Sequence, residues 1–188
     1  MSVDRSDSWV VADGFVEASR AVHRNAIAIS DAARDLGLTV EIREFPEGTR
    51  TAADAAAALG VEVGQIVKSL VVAVGDPGAR DATGEVVVAL VSGINQLDET
   101  KLAAAAGAGA SWRVDADAAR IATGYPVGGV PPLGHATVMR VFVDHDLLEW
   151  DEVWAAAGTP HHVFAMSPKA LVAAAGAVPS DLAKRVKP

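Results

Sequence analysis

Cysteine is absent from the 188 residues, which excludes disulfide bridges, a thiolate nucleophile and cysteine-ligated zinc. No run approaches 18 uninterrupted apolar residues, and the N-terminal MSVDRSDSWVVADG lacks a basic segment followed by an apolar one. Neither a membrane span nor a signal peptide is expected, and the expected compartment is the cytoplasm. Basic residues are the minority, 16 Lys and Arg against 24 Asp and Glu, for a formal charge of −8. Such a chain does not hold nucleic acid by bulk electrostatics alone. Also missing are the GxSxG nucleophile elbow, the phosphate-cradling GxxxxGK and the dinucleotide GxGxxG, so serine-hydrolase, P-loop and Rossmann readings fail. None of the five histidines stands in an HxxxH or HExxH relation. Neither a metal nor a cofactor is expected, and each histidine taken alone reads as a surface or half-buried polar group.

What remains is a chain about half apolar, long enough for one well-buried core. The expected organisation is a loose polar arm over residues 1–17 and a single domain over 18–188. Apolar residues recur at helical spacing from Ala18 to Leu36, and Gly37 is a C-terminal stop. LTVEIREF then alternates as a strand. TAADAAAALG is a short helix with Thr51 and Asp54 spaced as a capping box. IVKSLVVAV and EVVVALVSG read as an antiparallel pair joined across GDPGARDATG. Helices follow from Asp98 and over DADAARIATG, strands at TVMRVFVD, EVWAAAG and HHVFAMS, and a last helix opened by Pro168. Strands and helices interleave without a regular βαβ rhythm. The expected class is α+β, a mixed, curled, barrel-like sheet of about six or seven strands with helices packed outside.

Two features carry chemistry. Lys68 stands inside a β-branched run that reads as a buried strand, where it shares a face with Ile66, Leu70, Val72 and Val74. Either it snorkels past the sheet edge into water, or it is denied water. In the second case its charged form is disfavoured and it becomes a nucleophile or a poised cation. The second feature is GYPVGGVPPLG, residues 124–134, with four glycines and three prolines. It cannot continue either ladder. Gly128 and Gly129 would let a substrate approach the backbone and meet its N–H donors, while Pro131 and Pro132 hold that backbone rigid; the plainer reading is a structural corner.

TAADAAAALGVEVGQIVKSLVV, LVSGINQLDETKLA, TGYPVGGVPPLG and VWAAAGTPHHVFAMSPKAL, in that order, resemble the YbaK/EbsC family, the prolyl-tRNA-synthetase-associated editing domain, over residues 38–178. The resemblance implies hydrolysis of the ester between a wrongly attached amino acid and its tRNA, with tRNA(Pro) the expected carrier. It implies Lys68 as the hallmark catalytic residue and the loop Gly128, Gly129, Val130 and Pro131 as the lining of the aminoacyl pocket. Ser69 matches a position often Ser or Thr in relatives, although its side chain leaves the opposite face of the strand from Lys68. Cysteinyl-type members carry a serine and an aspartate where this chain has Ala156, two residues before Gly158, and Val163, which argues against cysteine as the preferred amino acid. His161 is the polar candidate at that corner, beside a structural reading of the same imidazole. The expected partners are the aminoacylated CCA end of a mischarged tRNA and a prolyl-tRNA synthetase or elongation factor, with no DNA and no membrane. A non-catalytic aminoacyl-adenosine or tRNA binding module and a Schiff-base lysine enzyme are the other classes left open.

Overall fold

The structure, a computed structural model, describes residues 23–45, 51–78 and 84–184. The expected arm over 1–17, the start of the first expected helix and part of the loop between the two paired strands lie outside the described residues. The elements in chain order are α1 (Arg24–Asp35), β1 (Ile42–Glu44), α2 (Ala52–Leu59), β2 (Val67–Gly75), β3 (Glu85–Ser92), α3 (Glu99–Ala106), β4 (Ala110–Arg113), α4 (Ala116–Thr123), β5 (Val141–Asp144), β6 (Val153–Ala156), β7 (His162–Met166), α5 (Pro168–Ala175) and β8 (Val178–Ser180).

The helix ends follow the local rules. Thr51 accepts from the Asp54 N–H while the Asp54 carboxylate accepts from the Thr51 N–H, closing the capping box of α2. Asp98 and Asp115 accept at the first turns of α3 and α4, and Ser167 caps α5 ahead of Pro168. These caps satisfy N–H groups that the helices leave without intrahelical partners.

The class is α+β, as expected, but the strands divide between two sheets instead of one. A five-stranded sheet has the order β4-β2-β3-β5-β8 and a three-stranded sheet the order β1-β7-β6. The larger sheet is mixed: β2 runs antiparallel to β3 and β4, while β3, β5 and β8 are parallel. Neither sheet closes into a barrel; the isolated bridge Ile66–Trp154 is the pairing that joins β2 to β6. The expected strands over 38–45 and 137–144 shorten to β1 and β5. Before β5 the chain is tied to the end of α4, with the Ala136 N–H donating to Thr123 O at 2.9 Å and Thr137 Oγ1 donating to Ala122 O at 2.8 Å.

Side-chain alternation gives the large sheet two buried faces. Val67, Val88, Leu90, Val141 and Val143 pack with Ile29 and Ala33 of α1, Phe164 and Met166 of β7, and Leu171 of α5. Val72, Val74, Val87, Ala89, Val91 and Phe142 pack with Leu102 of α3 and with Leu182. A smaller core joins Ala55 and Ala56 of α2 to Ile66 and Trp154.

Candidate functional site

Lys68 lies near the start of β2, on the face that carries Leu70, Val72 and Val74 toward α3. Its side chain is half-buried, and its amine does not end free in water. Nζ donates to Gly93 O at 3.1 Å and to Asn95 O, both in the turn that follows β3. Burial pushes the amine below the ordinary lysine value. The two carbonyl oxygens act in the opposite sense, since they favour the charged form. An ammonium has three N–H donors, so two carbonyls leave one for a further acceptor.

Beside Lys68, β2 has an open stretch. On the side away from β3 it forms a ladder with β4 only over Val72–Gly75, and the one bridge to β6 is made by Ile66, the residue before the strand. Residues 67–71 therefore have no ladder partner on that side among the described residues, although β6 packs beside them, Val67 meeting Val153 and Ala155 in one core. Ser69 sits in the middle of this stretch, and its hydroxyl is buried without a hydrogen-bond partner. A buried hydroxyl in that state carries a desolvation penalty, which a ligand or water could relieve. Trp154 Nε1, from the bridging residue of β6, is unpartnered in the same way.

The glycine loop gathers elsewhere. Gly128 is exposed, has φ +83° and would bring an added Cβ no nearer than 3.9 Å to Pro160 Cγ. Gly129 is buried, and a Cβ there would lie 2.6 Å from Thr159 Cα and 2.8 Å from its C and N. The sequence leads one to expect a substrate carbonyl above Gly129, meeting its N–H; Thr159 backbone fills that space and the Gly129 N–H donates to Pro126 O at 2.9 Å. Val130 and Tyr125 enter the core that contains Val67, Tyr125 OH donates to Gly134 O at 2.9 Å, and His135 Nε2 lies 2.7 Å from Pro131 O. Gly158, with φ +86°, accepts from Asn25 Nδ2 of α1 at 2.9 Å.

The turn between β6 and β7 holds both neighbouring histidines. His161 is exposed, and its Nδ1 lies 3.1 Å from Phe45 O, tying the turn to the end of β1. His162 is buried, with Nδ1 2.6 Å from Thr159 Oγ1, which also accepts from the His161 N–H at 3.1 Å. Desolvation holds the His162 imidazole below its ordinary value, helped by His23 and His161 and opposed by Glu44. Thr159 thus bridges the loop, which it contacts through Gly129, to the buried His162 imidazole.

The predicted residues therefore form two groups. Gly128, Gly129, Gly158 and His161 converge on the β6–β7 turn, while Lys68 reaches the turn after β3 from the other face of β2. Ser69 lies between them on the open stretch. Thr159, His162 and Asn95 were not singled out from sequence. Among the described residues no group of three His, Asp or Glu side chains could hold a metal ion, and no helix is long and apolar enough to cross a membrane.

Residues 46–174 match the sequence profile of the aminoacyl-tRNA editing domain, and the chain belongs to that family. It is 36% identical over 107 residues to a proline–tRNA ligase of Nitratidesulfovibrio vulgaris (strain DP4), an alignment that covers 57% of this chain and 17% of the ligase. The chain thus spans only a small part of that relative's length. A solved structure described as a candidate trans-editing enzyme for prolyl tRNA synthetase is 39% identical, with a TM-score of 0.79, and the match covers 88% of this chain and 100% of the other. A scaffold protein used for computational epitope grafting is 40% identical with a TM-score of 0.77 over the same shares.

Proposed function

We propose that the protein is a trans-editing aminoacyl-tRNA deacylase acting in the cytoplasm on mischarged tRNA(Pro), which it engages through the aminoacylated CCA end. The observation that carries this reading, within the family, is a half-buried amine held by two backbone carbonyls beside a stretch of β2 that has no ladder partner and holds an unpartnered Ser69 hydroxyl. The aminoacyl end would enter at residues 67–71, with Lys68 on one side of β2, Ser69 in the middle, and the exposed Gly128 and His161 and the buried Gly158 on the other, Gly129, Val130 and Pro131 forming the buried base of that loop. The remaining N–H of Lys68 would donate to the ester carbonyl or to the terminal adenosine's phosphate.

In the reaction, a water oxygen bonds to the ester carbonyl carbon, and the negative charge that develops on the carbonyl oxygen is stabilised by the Lys68 ammonium. The tetrahedral intermediate then releases the ribose oxygen, which takes up the proton lost by the attacking water, with a neighbouring ribose hydroxyl as its carrier. Amino acid and intact tRNA are the products. The carbonyl oxygens of Gly93 and Asn95 favour the charged form of the amine against the desolvation that lowers its pKa, and so support this electrostatic role over a Schiff base, which needs a neutral amine.

A deacylation screen of alanyl-, cysteinyl- and seryl-tRNA(Pro) tests the reading. Release of at least one of the three amino acids above the spontaneous rate is expected, with cysteine not preferred because Ala156 and Val163 stand where cysteinyl-type members carry Ser and Asp. Binding of these tRNAs with no turnover on any of them would favour a binding module instead.

A further inference from the structure

The turn that accepts the Lys68 amine is itself held by a half-buried polar cluster. Asn95 gives its backbone oxygen to Lys68, and its side-chain Nδ2 donates to Asp144 Oδ2 at 2.8 Å and to Asp146 Oδ2 at 2.7 Å. Both amide hydrogens are thereby used. Asp144 ends β5, is fully buried, and its other oxygen accepts from the Leu182 N–H at 3.2 Å. The same turn is sewn to the C-terminal segment at two more points, by the Asp98 N–H to Leu182 O and the Lys184 N–H to Gln96 O, each 2.8 Å. Gly93, the other acceptor, donates its own N–H to Ile66 O at 2.8 Å, two residues before Lys68.

Placing two carboxylates around one amide in a half-buried site is costly unless the donors are fixed. The arrangement fixes the peptide whose carbonyl faces the ammonium, at a separation of 49 residues along the chain. We propose that Asn95, anchored by Asp144 and Asp146, is a positioning residue that aims the Gly93 and Asn95 carbonyls at Lys68 and so fixes the direction of its free N–H. This rests on the proposed role of Lys68 in deacylation. Asn95 touches no substrate; it acts through the lysine.

Two variants test it, Asn95→Ala and Asp144→Asn. The latter turns one carboxylate oxygen into an N–H donor facing the Asn95 amide. Each is read in two ways. The first is the split between kcat and KM in deacylation: a misaimed ammonium should lower kcat on the order of tenfold to a hundredfold and leave KM nearly unchanged. The second is the titration of the Lys68 side chain followed by NMR at its Cε protons, assigned by their loss in Lys68→Arg. Release of the carbonyls removes what favours the charged form, so the titration midpoint should fall in both variants. A midpoint unchanged or raised in Asn95→Ala, or a kcat that declines only in step with melting temperature, overturns the proposal. If Lys68→Ala keeps full activity, the deacylase role of Lys68 fails, while the titration still decides whether Asn95 governs the state of the amine.

Discussion

At the scale of single residues, the two adjacent glycines of the loop have different duties. An alanine at Gly129 must push into Thr159 backbone, which cannot swing aside as a flexible side chain can, so Gly129→Ala is expected to lower melting temperature and activity together. Gly128→Ala meets only an ordinary contact with the Pro160 ring and loses the ease of a positive φ, on the order of 1 to 2 kcal/mol. It should reduce deacylation more than its melting curve accounts for if this exposed glycine faces the aminoacyl group. Thermal melts paired with rates for both variants check the difference; equal losses at the two positions would make the whole loop a structural corner.

His162 supplies a pH test of its own. Its folded-state value is depressed by burial, so between that value and the ordinary one near 6.5 the unfolded chain binds the extra proton. Stability should therefore fall as pH drops from 7 toward 5. His135, held low by burial as well, though opposed by its hydrogen bond to Pro131 O, adds in the same direction. Replacing His162 by Gln should flatten this acid limb in a series of melts. An unchanged slope would show that the imidazole is not held neutral. The sequence singled out Lys68 because a cation in a β-branched run violates a local expectation. It gave no such sign for Asn95, Thr159 or His162. An asparagine between two turns and a threonine before a proline violate nothing locally, and their partners lie across the fold or depend on the path of a turn.

At the scale of elements, what was readable is what local chemistry dictates. The Thr51–Asp54 box, the Asp98 and Asp115 caps, Pro168 at the head of α5 and the antiparallel β2–β3 pair all depend on near neighbours in the chain. Asp98→Ala, which removes the acceptor for the Thr100 and Lys101 N–H groups at 3.0 and 3.2 Å, should cost about 1 kcal/mol in urea unfolding with an unchanged m-value. A loss near zero would mean that the Asp98 N–H bond to Leu182 alone holds the start of α3. Unread were β4 and β8. ASWR has too few apolar positions to show a period, and Pro179 within β8 argues against a strand by any local rule. Both are short edge strands, placed by the sheet they join. The division into two sheets was also hidden, because it depends on where β2 stops having a neighbour, and that follows from the path of β4 and β6.

At the scale of the whole molecule, acidity limits how the protein can meet tRNA. With 24 acidic residues against 16 basic ones, few phosphate contacts are available, and counterion release adds little to affinity. Arg43, stacked 4.8 Å over the Trp154 ring, and Arg50 precede the strand in sequence, and the exposed Arg113 and Arg120 precede the loop. Deacylation should show a shallow salt dependence and little preference between two tRNAs carrying the same wrong amino acid, with a synthetase or elongation factor supplying tRNA identity. A steep salt slope with strong discrimination by the tRNA body, in the protein alone, would reveal a reading surface that the charge balance does not suggest.

The most direct test is single-turnover deacylation of the best mischarged tRNA by the protein and by Lys68→Ala, with circular dichroism melts on the same samples. If the ammonium stabilises the developing oxyanion, its removal should lower the rate on the order of a hundredfold or more while the folded state persists. A Lys68→Ala protein that is folded and turns over at close to the original rate would contradict the account.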